Sequence, residues 1–163
     1  MATFKFEGLD GYITQLREIS DAARGCIKRA VFDGAAVVAK AVEDEIRALP
    51  ENEYDYQYPW ELPAHGISDE QKRGLLEGMG LAKMQDDNGY INTKLGFDGY
   101  NDVKTKRYPN GQPNALIARS IESGSSIRRK NPFVTRGTKA SKEKAEAAMA
   151  SRLDADIQEI ISK

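Results

Sequence analysis

The chain has 163 residues and a net charge of −1, with 40% hydrophobic and 30% charged residues, which fits one domain of ordinary size. It contains one cysteine and one histidine, so a single chain can form neither a disulfide nor a structural zinc site, which needs about four Cys or His ligands. No apolar run approaches the ~18 residues that span a bilayer, and residues 1–6 lack the features of a signal peptide. We therefore expect a protein made in a cytoplasm, with no membrane partner.

The first fifty residues are predicted to form a short strand and a long helical region. Residues 3–7 alternate between apolar and polar side chains, which is typical of a strand. From about residue 11 to 48 apolar residues recur every three or four positions, as on one face of a helix, and Pro50 closes the run. Because each internal glycine weakens a helix by about 1 kcal/mol relative to alanine, we expect a break near residues 20–25 and a longer helix at about 22–48.

The longer helix is rich in small residues, which would let another helix or a sheet approach it closely. Both ordinary core packing and burial in an oligomer explain such a face. Cys26, on the same helix, is interpreted as a small buried hydrophobic residue and not as a reactive thiol. The small residues are Ala30, Gly34, Ala35, Ala36, Ala39 and Ala41.

Residues 51–67 are predicted to form a loop with four aromatic side chains at two-residue spacing. Pro59 and Pro63 argue against a central strand. Rings with polar tips are favoured at protein interfaces, whereas the acidic residues between them would repel nucleic-acid phosphates. We expect a protein-contact loop, with packing of the loop on its own domain as the alternative. The four aromatic residues are Tyr54, Tyr56, Tyr58 and Trp60.

Two local signals predict the next elements. Residues 68–71 fit a capping box, which predicts a short helix ending at about Glu77. Residues 87–89 are Asp-Asn-Gly, and Asn-Gly tolerates the positive φ angles of a tight hairpin turn. The sequence therefore predicts a hairpin that joins residues 82–85 to residues 90–97.

The last third of the chain is predicted to contain two loops, a strand and a helix. Residues 98–113 have the composition of a turn-rich polar loop. Alternating side chains over residues 115–122 predict a fourth strand, and residues 125–137 are predicted to be an irregular basic loop. Helical periodicity returns over residues 139–162.

This order of elements predicts an α+β fold, because the helices are segregated from an antiparallel sheet. We expect a small antiparallel sheet of about four strands packed against a long N-terminal helix and a C-terminal helix. The whole chain, residues 1–163, is expected to be a single domain. Residues 51–80 are interpreted as an inserted aromatic and helical segment.

Positive charge is concentrated in residues 101–144. This segment has eleven basic and three acidic residues, a net charge of +8, so the remainder carries −9. Such polarity suits a protein whose two faces meet different partners, and a solvated basic loop is the alternative interpretation. The basic residues are Lys104, Lys106, Arg107, Arg119, Arg128, Arg129, Lys130, Arg136, Lys139, Lys142 and Lys144.

No group of side chains predicts catalysis or metal binding. The carboxylates of residues 43–45, and those of Asp154 and Asp156, are spaced so that they diverge on a helix. Residues 86 and 87 are aspartates in a predicted turn, where Asp is common for conformational reasons. His65 lies in a predicted loop without a nucleophile motif, and no phosphate-binding glycine loop is present. We expect no enzyme, no cofactor, no catalytic residue and no metal site.

Several short motifs together resemble one family. Residues 94–100 contain Gly-Phe, residues 118–125 read Ala-Arg-Ser-Ile-Glu-Ser-Gly-Ser, and residues 131–134 contain Pro-Phe. Gly-Leu-Asp at residues 8–10 opens the long Ala-rich region, which ends in Leu-Pro at residues 49–50. This combination resembles the neck and minor tail component proteins of long-tailed bacteriophages, the family that includes lambda minor tail protein Z.

The resemblance implies a structural virion component at the head–tail junction, assembled in the cytoplasm of the host bacterium. It implies a homo-oligomeric ring, expected to be a hexamer, stacked at the top of the tail. The partners would be a head-closure or connector protein on one side and a tail-terminator or tail-tube protein on the other. The basic segment would face either the DNA in the ring lumen or the acidic face of a neighbouring subunit.

The contacts of such a protein are expected on the long helix and on the two loops at residues 51–67 and 125–137. A different functional class, a nucleic-acid-binding module that uses residues 101–144, remains the alternative. The predicted protein-contact residues are Tyr54, Tyr56, Tyr58, Trp60, Arg128, Arg129, Lys130 and Phe133.

Overall fold

The computed structural model describes residues 9–51, 66–126 and 128–162, with side chains described from Ser20 onward except that of Ile161. The predicted strand at residues 3–7 therefore lies outside the described residues. In the described part four helices and four short strands follow one another, and the fold is α+β, as predicted. The elements are α1 (Leu9–Arg47), α2 (Asp69–Gly78), β1 (Met79–Leu81), β2 (Gln85–Asp87), β3 (Tyr90–Asn92), β4 (Leu95–Phe97), α3 (Asn114–Ser123) and α4 (Phe133–Ile161).

Helix α1 is one continuous helix of 39 residues, so the predicted break near residues 20–25 is wrong. A glycine costs a helix only about 1 kcal/mol, and residues on both sides of Gly25 make tertiary contacts. Cys26 and Ala30 are buried, at 3% and 1% exposure, and Arg24 lies 3.5 Å from the Asp86 carboxylate of the hairpin. Cys26 is thus a buried small residue, as predicted.

Helices α1 and α4 pack antiparallel along much of their length. The Arg29 guanidinium donates to the Asp156 carboxylate at 2.9 Å near the end of α4, and Arg136 donates to Glu45 at 2.6 Å near its start. Between these ion pairs the backbones come close: a methyl group added at Gly137 would lie 3.1 Å from the Cα of Val42. Of the small residues of α1, Ala30 and Gly34 are buried, and a methyl group added at Gly34 would meet the side chain of Met149 in α4, whereas Ala36 is exposed.

The hydrophobic core lies where the C-terminal half of α1 meets α2, α3 and the start of α4. The ring of Phe133, fully buried, stands 5.9 Å from the ring of Phe97 at an interplanar angle of 60°, a favourable tilted arrangement. The buried members of this core are Val42, Ile46, Leu49, Ile67, Leu75, Ile117, Ala118, Ile121 and Phe133.

Both local predictions between residues 68 and 97 are confirmed. The Ser68 hydroxyl accepts from the backbone N–H of Gln71 at 3.3 Å, and the Gln71 side chain accepts from the backbone N–H of Ser68 at 3.5 Å. The hairpin turn has φ of 56° at Asn88 and 91° at Gly89. These are the positive angles that an Asn-Gly turn supplies at little cost.

The four strands form two short antiparallel ladders of one long hairpin. Strands β2 and β3 pair next to the turn, and β1 pairs with β4 further away, with Gly80 opposite Gly96. The ladders are linked by a hydrogen bond from the backbone N–H of Ala82 to the carbonyl of Lys94 at 2.8 Å. All four strands of the described chain thus lie in the hairpin, but its first half runs from residue 79 to residue 87, whereas residues 82–85 were predicted.

Residues 114–123 form helix α3, so the predicted fourth strand at residues 115–122 is wrong. The buried residues are Asn114, Ile117, Ala118 and Ile121, which have the spacing of one helix face. The strand prediction required Arg119 to share the face of Ile117, but Arg119 is exposed. Five of the eight residues from 115 to 122 are apolar, so the segment satisfied both periodicities, and its packing against α2 and the core decided between them.

Helix α4 begins at Phe133, six residues before the predicted start at residue 139. The predicted basic loop at residues 125–137 is therefore too long, because its last five residues form the first turns of a helix. The segment that connects α3 to α4 is residues 124–132, and residue 127 within it is not described.

The α1–α4 contact predicts opposite effects of alanine at two helical glycines. Gly137→Ala should lower the free energy of unfolding by about 1–3 kcal/mol, because the added methyl group overpacks against the backbone of Val42. Gly25→Ala should raise it by about 0.5–1 kcal/mol, because the nearest atom to the new methyl group is Arg29 Nη1 at 3.6 Å. Urea unfolding followed by circular dichroism measures both, and a stabilising Gly137→Ala would contradict the close helix contact.

Candidate interaction surface

The structure places the predicted contact residues in three different environments. Tyr54, Tyr56, Tyr58 and Trp60 lie outside the described residues. Phe133 is fully buried in the core, and Arg128 is buried at 4% exposure, so neither offers a side chain to a partner from the surface. Arg129 and Lys130 are exposed and are the two predicted contact residues that the described surface presents.

The turn that presents Arg129 and Lys130 is held by backbone hydrogen bonds. Gly124 has a φ of 78°, and a side chain there would lie 3.1 Å from the backbone nitrogen of Lys130. The backbone N–H of Ser125 donates to the carbonyl of Arg128 at 2.8 Å, and that of Arg128 donates back at 3.3 Å. The two exposed cations therefore stand on a fixed turn.

Glu122 connects this turn to the start of α4. Pro132, at the N-cap position of α4, makes no side-chain cap hydrogen bond. The Glu122 carboxylate instead accepts from the backbone N–H of Val134 at 2.9 Å and from that of Thr135 at 3.1 Å, and also from the Thr135 hydroxyl. A carboxylate at a helix N-terminus satisfies free N–H groups and interacts favourably with the helix dipole.

The short motifs behind the family resemblance meet in this part of the fold. Phe97 of the Gly-Phe motif packs against Phe133 of the Pro-Phe motif. Glu122 of the Glu-Ser-Gly motif caps the helix that Phe133 begins, and Gly124 makes the turn that precedes it. These residues thus determine the fold at the α3–α4 corner and are not themselves an exposed binding site.

Arg128 carries a buried guanidinium group that is incompletely satisfied. Its Nη2 donates to the side-chain oxygen of Gln71 at 2.9 Å, while its Nε and Nη1 have no hydrogen-bond partner among the described residues. Gln71 in turn donates to the side chain of Gln112 at 2.8 Å. No carboxylate pairs with Arg128 among the described residues, although burial of an unpaired charge is costly. Sequence reasoning could not detect this, because Arg128 stands in a basic run typical of surfaces.

The described surface of residues 101–144 is strongly basic. Arg136 is paired with Glu45, and Lys142 lies 3.9 Å from Glu146. The guanidinium of Arg107 stands over the ring of Tyr108 at 5.7 Å. The exposed basic residues of this segment that form no ion pair within the described chain are Lys104, Lys106, Arg107, Arg119, Arg129, Lys130, Lys139 and Lys144.

Several carboxylates on α1 are engaged in ion pairs. Glu43 accepts from the Arg47 guanidinium at 2.6 Å, and Lys40 lies 3.0 Å from Asp44. The hydrogen bond from Arg47 holds the pKa of Glu43 below its usual value, and the hydrogen bond to Asp44 raises the pKa of Lys40. Their neighbourhood is therefore electrically balanced, unlike the surface of residues 101–144.

Neither a metal site nor a membrane span is found in the described residues. No group of three or more His, Cys, Asp or Glu side chains there could hold a metal ion. None of the described helices is long and apolar enough to cross a bilayer.

An open apolar depression of about 370 Å³ lies along the hairpin, with Leu81, Lys94 and Phe97 in its lining. The candidate site of the described chain is therefore its basic surface.

No family model, curated protein or solved structure matches this chain.

Removal of the Glu122 carboxylate should destabilise the α3–α4 corner. We expect Glu122→Ala to lower the free energy of unfolding by about 1–2 kcal/mol, as loss of a helix cap does. Glu143→Ala is the matched control: Glu143 is exposed within α4, and the change should stay within about 0.5 kcal/mol. Chemical denaturation compares the two, and equal effects would show that Glu122 does not act as the cap.

Removal of the buried Arg128 charge should stabilise the isolated chain. Arg128→Met replaces an unpaired buried guanidinium by an unbranched apolar side chain, and we expect the free energy of unfolding to rise by about 1–2 kcal/mol. Arg129→Met, at the exposed neighbour, should change it by less than about 0.5 kcal/mol. Thermal and urea unfolding measure both. Strong destabilisation by Arg128→Met would mean that a carboxylate pairs with this residue in solution.

Proposed function

We propose that this chain is a structural, non-enzymatic component of the head–tail junction of a long-tailed phage or prophage. In this role it is a neck or tail-completion protein that acts by ring assembly and by contacts with other proteins. The observation that carries the proposal is the convergence of the Gly-Phe, Glu-Ser-Gly and Pro-Phe motifs on the buried ring of Phe133. Proteins of one family share a fold, and they therefore share the short motifs that determine it.

The distribution of charge supports an assembly role. Ring assembly from identical subunits needs two different surfaces on each copy, so that one copy can bind the next in a head-to-tail manner. The net charge of +8 in residues 101–144 and of −9 in the remaining residues would give each copy regions of opposite sign. Charge complementarity of this kind gives register and a fast association rate more than it gives affinity.

The proposed partners follow from this role. Copies of the chain would form a homo-oligomeric ring, a hexamer on the family pattern, in the virion. A head-closure or connector protein would bind one face of the ring, and a tail-terminator or tail-tube protein the other. The exposed turn at Arg129 and Lys130 would contact either a neighbouring subunit or the DNA that passes through the lumen.

Charge reversal on the exposed turn should weaken joining. We expect Arg129→Glu with Lys130→Glu to reduce the yield of infectious particles at least tenfold when purified heads and tails that lack this protein are mixed with it. Lys28→Glu with Lys83→Glu is the matched control, because both pairs are exposed and change the net charge equally. Equal yields from the two double variants would contradict the assigned surface, and no rescue by the unmodified protein would contradict the function.

The predicted contact role of residues 51–67 is tested by Trp60→Ala in the same mixing assay, where loss of particle yield with an unchanged unfolding midpoint is expected. Phe133→Ala is unsuitable for this purpose. Its side chain is fully buried, and removal of a buried phenylalanine costs about 3–5 kcal/mol of stability.

A nucleic-acid-binding module is the second candidate function, and the unpaired basic side chains of residues 101–144 favour it. A protein that neutralises several phosphates loses affinity steeply as salt rises, with a slope of about −0.9 per phosphate for duplex DNA. A band-shift titration of the isolated protein with short DNA at several salt concentrations distinguishes the two functions. Tight, steeply salt-dependent binding favours the nucleic-acid module, and its absence favours the assembly component.

A further inference from the structure

The chain contains two Asn-Gly pairs, Asn88–Gly89 and Asn110–Gly111, and in both the asparagine is exposed. Asparagine is one of the chemically labile residues of proteins. It is most labile before glycine, because glycine has no side chain to shield its backbone nitrogen or to restrict its conformation. The sequence alone does not distinguish the two pairs, whereas the structure places them in different surroundings.

The reaction open to such a pair is intramolecular deamidation with water as the co-reactant. The glycine nitrogen, after losing its proton to hydroxide, attacks the side-chain amide carbon of the asparagine. A C–N bond forms, the bond to the side-chain nitrogen breaks, and ammonia leaves with a proton taken from water. A water molecule then opens the cyclic imide at either carbonyl, which gives aspartate or isoaspartate. The chain thus gains one water molecule and loses one ammonia molecule.

The hairpin tip that carries Asn88 is exposed. Asn88 and Gly89 form a two-residue turn between β2 and β3, with φ of 56° and 91°. Tyr90 and all three residues of β2 are exposed, and a Cβ built at Gly89 meets no atom of the described chain within 4 Å. The attacking nitrogen is held by a hydrogen bond from the Gly89 N–H to the Asp86 carboxylate at 2.9 Å. Local opening of this turn costs little, because exposed residues lose few apolar contacts.

The second pair is restrained by tertiary packing. Gly111 is buried, and a Cβ built there would collide with the carbonyl oxygen of Asn101. The Gly111 N–H donates to the carbonyl of Tyr108 at 3.3 Å, and the next carbonyl, that of Gln112, accepts from the Asn101 N–H at 2.9 Å. The nitrogen of Gly111 can therefore approach the side chain of Asn110 only after a buried contact is broken.

We propose that Asn88 is a site of spontaneous deamidation in the folded protein, that its hydrogen-bonded neighbour Asp86 slows the reaction, and that packing protects Asn110. The product places a third negative charge beside Asp86 and Asp87. Isoaspartate also lengthens the backbone by one methylene group, which disturbs a two-residue turn. The inference concerns the purified chain and does not depend on the proposed function.

Peptide mapping by mass spectrometry tests the proposal after the full chain is incubated at mildly alkaline pH. Trypsin releases the two pairs in different peptides, residues 84–94 and 108–119, and fragment ions locate the change from amide to carboxylate. In the folded protein, conversion at Asn88 should be at least about fivefold faster than at Asn110, because the hairpin tip opens more readily. No conversion at Asn88, or conversion at Asn110 that is equally fast, would overturn the proposal.

The chain unfolded in urea is the control for tertiary packing. There the two rates should agree within about twofold, because neither pair is held by the fold. A fivefold preference for Asn88 that persists in urea would overturn the protection assigned to the packing of Gly111.

Asp86→Ala tests the restraint on the nitrogen of Gly89. Loss of the hydrogen bond should raise the rate at Asn88 at least about threefold and leave the rate at Asn110 unchanged. Asp87→Ala is the matched control: it removes the same charge from the same turn, but the Asp87 carboxylate accepts from the side chain of Asn92 at 3.0 Å. Equal rates in the two variants would overturn the role assigned to Asp86.

Discussion

The burial of the Phe133 ring against Phe97 is the contact on which the rest of the described structure depends. It joins the hairpin to the start of α4 across a long stretch of sequence. The chain can deliver Phe133 there only because Gly124 adopts a left-handed conformation and Glu122 caps the first turn of α4. None of these local features alone would determine where α4 starts. Together they determine that start, and therefore the register of α4 along α1.

That register explains the α1–α4 pair. Once α4 begins at Phe133, Gly137 meets Val42 at backbone contact distance and Gly34 meets the side chain of Met149. The glycines thus act as points of close approach between helices. The same register places Asp156 of α4 beside Arg29 and Arg152 beside Asp33 of α1.

The short motifs and the basic segment contribute differently to function. The motif residues are buried or cap a helix, so their role is to stabilise the fold. The exposed cations around Arg129 and Lys130 are free to meet a partner. The proposed assembly role would use both the rigid corner and the unpaired cations beside it. Arg128 is next in sequence to these exposed residues, but its own side chain is buried. The charges along the sequence do not indicate this burial.

The sequence by itself determined the features that depend on residues close together in the chain. The capping box at Ser68, the Asn-Gly turn and the helicity of α1 all arise from hydrogen bonds or side-chain spacing within about four residues. Tertiary structure alone decided that residues 114–123 form a helix, that α1 continues through Gly25 and that Phe133 is buried. In those places local preferences were nearly balanced, and packing against distant residues supplied the larger energy.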